Sequence, residues 1–449
     1  MNCRYSLTRL VMVLGLLIVT LIIFQVRPAG GRIYIDINSP LQEKIPIAVP
    51  AFRFEGGEVT GLPLSEKMAD ILSNALSFSG LFQVLNPAVF LQDPDKMGIA
   101  QEEIKFSDWR FLGADLLVRG SYHVQGGRFE LVVNLFDIIN QKLLLSRTYH
   151  NSVASARDTI LTFADELMLE LTGELGIFHT QIAFVGDATG QKEIYLADFD
   201  GSNIRQLTKN HSMNLSPNWS ADGKQISFVG YEHENPDIYT IDLISKSIKR
   251  ISMRPGLNIA PDYHPDGGKL AATLSFTGNP ELYLLDARGQ ILKQLTVSWA
   301  IDVSSSWSPD GSKLAYVSNR AGKPQIYLLD IDKGTTTRLT FEGDYNTSPA
   351  WSPRGDRILY SGLHDGKFDI FMISPDGRDL RQLTGGEGNN EDPCWSPDGR
   401  LILFQSDRQR TKTLWLMQAN GSNQRRLRLD LRGSQTEPAW SPRLTKTVP

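Results

Sequence analysis

The sequence predicts a mixed fold: a small N-terminal α/β domain, then an all-β six-bladed propeller closed by the C-terminal strand. Three observations carry this. One turn motif recurs at a fixed step from about residue 180 onwards. The repeat starts and stops at different phases. Residues 32–178 show helix and strand patterns but no repeat.

The motif surrounds an aromatic residue. It runs Asn218-Trp219-Ser220-Ala221-Asp222-Gly223, Asp262-Tyr263-His264-Pro265-Asp266-Gly267, Ser306-Trp307-Ser308-Pro309-Asp310-Gly311, Ala350-Trp351-Ser352-Pro353-Arg354-Gly355, Cys394-Trp395-Ser396-Pro397-Asp398-Gly399 and Ala439-Trp440-Ser441-Pro442. The aromatic residue advances by 44, 44, 44, 44 and 45 positions. A period of 40–50 residues with short strands is the mark of a propeller. Ser-Pro-Asp-Gly is a turn: Pro presets φ, Asp bonds back to the backbone, and Gly accepts positive φ. Three β-rich runs follow each turn, as in Lys313–Ser318, Gln325–Asp330 and Thr337–Thr340. Each unit therefore has four strands, a to d, with the aromatic one first and innermost.

The phase decides how the ring closes. Thr180–Val185 matches strand b, and Glu437–Trp440 matches strand a. The missing first strand a comes from the C-terminus, giving six complete blades and no exposed edge.

In residues 32–178, Ile45–Val49 reads as a strand, and Leu64–Phe78 as a helix with Met68, Ile71, Leu72, Ala75 and Leu76 on one face. Phe82–Leu85 is a short strand. Leu116–Val124, Phe129–Ile138 and Lys142–His150 form a meander. Ser155–Leu171 is a second helix, ended by Gly173. Gly173–Phe178 is a short link to the propeller.

The chain opens with Arg4 and Arg9 before an apolar stretch, Leu10–Phe24, which is the pattern of an export signal. Ala29-Gly30-Gly31 suits cleavage, leaving Arg32 as the new N-terminus; the rival reading is a retained anchor. The expected organisation is a signal at 1–31, an α/β domain at 32–178, the propeller at 179–443 and a tail at 444–449. The formal net charge is −4. Losing Arg4, Arg9 and Arg27 with no acid takes it to −7. Neither value supports nucleic-acid binding. Of 2 Cys, only Cys394 follows the signal, so no disulfide framework is expected. An exported chain with one thiol points to a bacterial periplasm.

Signal, α/β domain and six-bladed propeller together resemble the TolB family of periplasmic Tol-Pal components. The first domain adds specificity through Ile45–Phe52, Ala69–Leu76 with Ser79–Phe82, and Trp109 with Leu112–Asp115 and Val118–Gly120. The resemblance implies a non-enzymatic adaptor with no cofactor or metal, attached to membranes only through its partners. It implies binding of a Pal-like lipoprotein by the propeller and of a TolA-like protein by the mature N-terminus. It also implies support of outer-membrane integrity and of constriction during division.

Two sets of residues are candidates for binding. Five positions before each aromatic residue stand Asn214, Asn258, Asp302, Asn346, Asn390 and Gln435, expected at the channel mouth. This polar collar suits a partner's backbone or a cation, since amides both donate and accept; the same residue types also simply cap turns. Ala260 and Val303 resemble positions where the family meets Pal. The second set is Arg32-Ile33-Tyr34-Ile35-Asp36-Ile37, whose alternation suits addition to a partner's sheet edge, or to the domain's own sheet.

The alternative function is a propeller-based peptide- or carbohydrate-processing periplasmic enzyme. Neither a G-x-S-x-G elbow nor an H-E-x-x-H pair occurs, and Gly385-Gly386-Glu387-Gly388 lacks the Lys of a phosphate loop. The seven His are scattered singly, and Cys394 is expected to be a small filler beside Trp395.

Overall fold

A computed structural model describes residues 44–57, 64–94 and 96–444. The expected export signal, Arg32–Ile37 and residues 445–449 lie outside these. Among the described residues, no helix is long and apolar enough to cross a membrane.

The first domain is one mixed sheet covered on both faces. Its elements are β1 (Ile45–Ala48), β2 (Arg53–Gly57), α1 (Leu64–Ser79), β3 (Phe82–Val84), α2 (Phe106–Phe111), β4 (Leu116–Gln125), β5 (Arg128–Asp137), β6 (Lys142–Ser152) and α3 (Ala156–Thr172). The sheet order is β3-β1-β4-β5-β6, with β2 also on β4. Alternation along the strands sends side chains to opposite faces. Ile47, Leu116 and Val118 meet α1 and α3 on one face; Ala48, Leu117 and Phe136 meet Met97, Ile104 and Trp109 on the other. Gly126 and Gly127, both at positive φ, make the β4–β5 turn. Gly173 ends α3 at φ 78°. Strand β2 and helix α2 are not evident from sequence: β2 carries Gly56 and Gly57, which signal a turn, and α2 is only 6 residues long.

The propeller has six four-stranded blades. Blade 1 joins Gln435–Trp440 as strand a to Gln181–Gly186, Glu193–Asp198 and Arg205–Gln206. The next five inner strands are Asn214–Trp219, Asn258–Tyr263, Asp302–Trp307, Asn346–Trp351 and Asn390–Trp395. Each contacts the next, and the last contacts Gln435–Trp440, which touches Asn214–Trp219. The ring is closed.

The two domains share one core. Phe78 of α1 meets Phe199 at 5.0 Å and Trp440 at 6.4 Å. Arg425 donates to the Phe78 carbonyl (2.7 Å), and Gln418 to that of Gly80 (3.2 Å). Just after the linker, His179 reaches Asp165 (2.5 Å) and Asp158 (3.0 Å) on α3. Trp440, Gln418 and Phe199 stand at or just past the ends of their strands. The α/β domain therefore covers the turn end of blades 6 and 1. Among the described residues, the α/β domain leaves the opposite end, where every strand a begins, uncovered.

Candidate functional site

The six collar residues each start strand a, and all are at most 1% exposed. Their side chains form junctions between blades. The partner column lies at the start of strand c of the preceding blade, or two residues into it for Asp237 and Asp369: Glu193, Asp237, Glu281, Gln325, Asp369 and Thr413, again stepping by 44. Asn214, Asn346 and Asn390 donate through Nδ2 to Glu193, Gln325 and Asp369, each at 2.9 Å. A hydroxyl completes each of these junctions: Thr340 donates to Gln325 at 2.8 Å and Thr384 to Asp369 at 2.7 Å, with Thr208 on Glu193 likewise. Asn258 instead accepts from Ser252 (2.6 Å) and donates to the Arg254 carbonyl (2.6 Å). The signal for this second column was in the sequence: a polar residue at the head of each strand c, at the same period.

Two further junctions differ. Asp302 cannot donate as the amides do. Arg320 neutralises its Oδ2 at 2.8 Å, and Asn279 supplies the donor to the Ser298 and Ala300 carbonyls. Its Oδ1 is buried without a hydrogen bond. At the closing junction Thr413 replaces the acid, Arg428 replaces the hydroxyl, and Gln435 Oε1 is likewise unpaired. A carboxylate is thus tolerated where an arginine faces it. Asn346→Asp, where His364 occupies the place of Arg320, is expected to cost about 3–5 kcal/mol. Asp302→Asn should change stability by no more than about 1 kcal/mol. Urea midpoints of the two variants check both.

Two positions further on, every inner strand bulges. Ser216, Ala260, Ser304, Ser348, Asp392 and Glu437 all sit at φ between 49° and 53°, and the ladder to strand b skips there. None is glycine, so each stores of order 1–3 kcal/mol of backbone strain. Bulges of this kind re-aim side chains beside functional sites. Ala260 belongs to this ring, and Val303 precedes its fourth-blade member; both are half-buried. Around the ring Ser216 N–H donates to Glu437 (2.6 Å), and Ser348 Oγ donates to Asp392 (2.7 Å). Between blades 6 and 1 a cleft of about 240 Å³ is lined by Asp187, Lys192, Gln405, Lys412 and Glu437. Outside the ring, the loops leading into strand a of blades 3, 4 and 5 expose Met253, Val297, Trp299 and Phe341.

The acids of the inner strands are unusual. Burial pushes Asp262 up to about 7, although Trp307 N–H and Asn218 Nδ2 both donate to it at 2.9 Å. Burial, then the charge of Glu437, pushes Asp392 up to about 6. A carboxyl with a raised folded pKa holds an extra proton in the native state. Its destabilising effect is absent below about pH 4 and grows as pH rises to the folded value. Asp392→Asn keeps a residue tolerant of positive φ. It is expected to flatten the fall in urea midpoint between pH 4 and 6. Burial pushes the Cys394 thiol up to about 12, making it unreactive. Among the described residues, no three His, Cys, Asp or Glu side chains are grouped to hold a metal ion.

Comparison with known proteins fits this architecture. The TolB beta propeller domain matches residues 168–444, and the TolB amino-terminal domain matches residues 33–144. The Tol-Pal system protein TolB of Desulfosudis oleivorans is 42% identical over 191 residues, 42% of this chain and 44% of that protein. That of Syntrophotalea carbinolica is 40% identical over 192 residues, 42% of this chain and 44% of the relative. The chain thus spans less than half the length of the curated relatives it matches. The crystal structure of TolB from Acinetobacter baumannii superposes with a TM-score of 0.78 at 28% identity, covering 89% of this chain and 97% of that one. With the propeller family matching more than half its length, the chain belongs to the TolB family of Tol-Pal system proteins.

Proposed function

We propose that this chain is a non-catalytic adaptor of the Tol-Pal envelope complex, working in the periplasm. It binds a Pal-like lipoprotein at the open end of the propeller and a TolA-like protein through Arg32–Ile37. In this role it supports outer-membrane integrity and constriction during division. One observation carries the propeller half. The α/β domain covers one end of blades 6 and 1, while the other end presents six strained inner-strand residues flanked by exposed Met253, Val297, Trp299 and Phe341. Exposed apolar side chains around a rigid polar ring suit a protein partner. The buried collar then acts as the frame: Asn214, Asn258, Asp302, Asn346, Asn390 and Gln435 hold the bulges in place, and Ala260 and Val303 stand at the contact surface.

A pull-down with the Pal-like lipoprotein of the same organism tests the propeller half. Wild type is expected to retain it, and Trp299→Ala, at a residue 78% exposed, to lose most of it while melting normally. Absence of binding by wild type, beside a working TolB–Pal control, overturns the assignment. Deleting Arg32–Ser39 is expected to abolish capture of the TolA-like protein and spare the fold. Capture that survives the deletion removes the N-terminal role.

A further inference from the structure

The turn after strand a carries Asp at Asp222, Asp266, Asp310 and Asp398, but Arg at Arg354 and Arg443. The aspartates close their turns: Ser220 Oγ donates to Asp222 at 2.8 Å and Ser308 Oγ to Asp310 at 2.6 Å. The two arginines give up that role. They stand on blades 5 and 1, on either side of blade 6, whose own turn supplies Arg400. All three turn toward the interdomain linker. Arg354 and Arg400 approach the Glu174 carboxylate at 3.4 and 3.7 Å. Arg443 donates to the Gly176 and Leu175 carbonyls at 3.1 and 2.8 Å.

Arg400 is the unusual member. It is 6% exposed, yet none of its three guanidinium nitrogens has a hydrogen-bond partner. Its nearest carboxylates are Glu174 and, at 4.0 Å, Asp398. Asp398 already accepts from Ser396 Oγ and the Arg400 N–H. Burial pulls Arg400 down from its ordinary value. A guanidinium has five donors in a planar fork made for a carboxylate, and burying it without bonds is costly. The group that reaches it, Glu174, is 44% exposed and makes only loose pairs.

We propose that Arg354, Arg400 and Arg443 form a carboxylate-binding site at the turn end of the propeller, occupied in this conformation by the linker's Glu174 and open to an acidic peptide segment when the linker withdraws. The site lies about 17 Å, the length of a six-residue strand, from the collar end. Its internal occupant is part of the connection between the two domains. Filling it in trans therefore competes with their docking.

The test uses the full exported chain and fluorescein-labelled hexaglutamate, read by anisotropy at low salt. Wild type is expected to bind weakly, and Glu174→Ala at least ten-fold more tightly. Adding Arg354→Gln to Glu174→Ala should return binding to the wild-type level, whereas adding Arg378→Gln, a change at an exposed arginine, should not. Glu174→Gln, which keeps the side chain's shape, should show the same gain if Glu174→Ala fails to fold. Equal affinity in wild type and in the folded Glu174 variant overturns the proposal. So does tight binding that survives Arg354→Gln.

Discussion

Deleting residues 435–449 is expected to abolish the cooperative unfolding of the propeller. The deleted strand a of blade 1 pairs with Gln181–Gly186 from the other end of the domain, Gln435 opposite Gly186 and Trp440 opposite Ile182. It is the only inner strand supplied across the whole ring. Trp440 Nε1 donates to Thr180 Oγ1 at 2.9 Å across 260 positions of sequence, and Gln181 N–H donates to Ser441 Oγ at 2.9 Å. Removing the strand uncovers the edge of Gln181–Gly186 and takes the inner-strand contact from blades 2 and 6. It also strips an aromatic from the core shared with Phe78. Trp440→Ala alone is expected to cost about 3–5 kcal/mol. That is a large part of the roughly 5–15 kcal/mol that holds most domains folded. Wild type should show a steep urea transition by tryptophan fluorescence and circular dichroism together. The truncated chain should show a broad, shallow one or fail to stay soluble. An unchanged midpoint and slope would mean that the ring does not need its closing strand.

That closure was legible in the sequence because it rests on phase. A repeat that begins at strand b and ends at strand a can complete a blade only by joining its ends. The inner strands, the turns and both long helices of the first domain were equally legible, since each depends on local period or turn chemistry. The collar was legible as a column of Asn and Asp, but not as a junction. Sequence spacing places Asn214 at the start of its strand; it does not say that Glu193, on strand c of the preceding blade, is what it meets. The strained ring was hidden for a related reason. Ser216, Ala260 and Ser348 carry no left-handed preference, so their positive φ is imposed by the bulge and by the blades around it. The docking of the domains through Phe78, Phe199 and Trp440 is likewise a tertiary fact with no periodic trace.

Arg119 is the clearest case of a residue whose type misleads, and Arg119→Met is expected to loosen the first domain by about 3–5 kcal/mol. An arginine in a strand suggests a solvent-facing position. Here it is fully buried in β4, on the sheet face opposite α1 and α3. Its guanidinium donates to the Ala51 carbonyl at 3.1 Å, Pro94 at 2.9 Å, Met97 at 2.8 Å and Gly98 at 3.4 Å. One side chain thus satisfies four backbone carbonyls in segments that have few ladder partners of their own. Methionine fills a similar volume and supplies no donor. All four acceptors lose their bonds together, the buried ones of Met97 and Gly98 at about 1–3 kcal/mol each before relaxation. Residues 86–94 and 96–104 then rest on Leu117 and Phe136 mainly through the apolar contacts of Met97 and Ile104 and the Asn134 bond to the Ile99 carbonyl. Hydrogen exchange should accelerate there first and leave the propeller amides unchanged. Arg119→Lys keeps the charge but not the planar fork, and should recover only part of the loss. Unchanged exchange across that segment in Arg119→Met would show that apolar contact alone, through Met97, Ile104 and Trp109, holds it to the sheet.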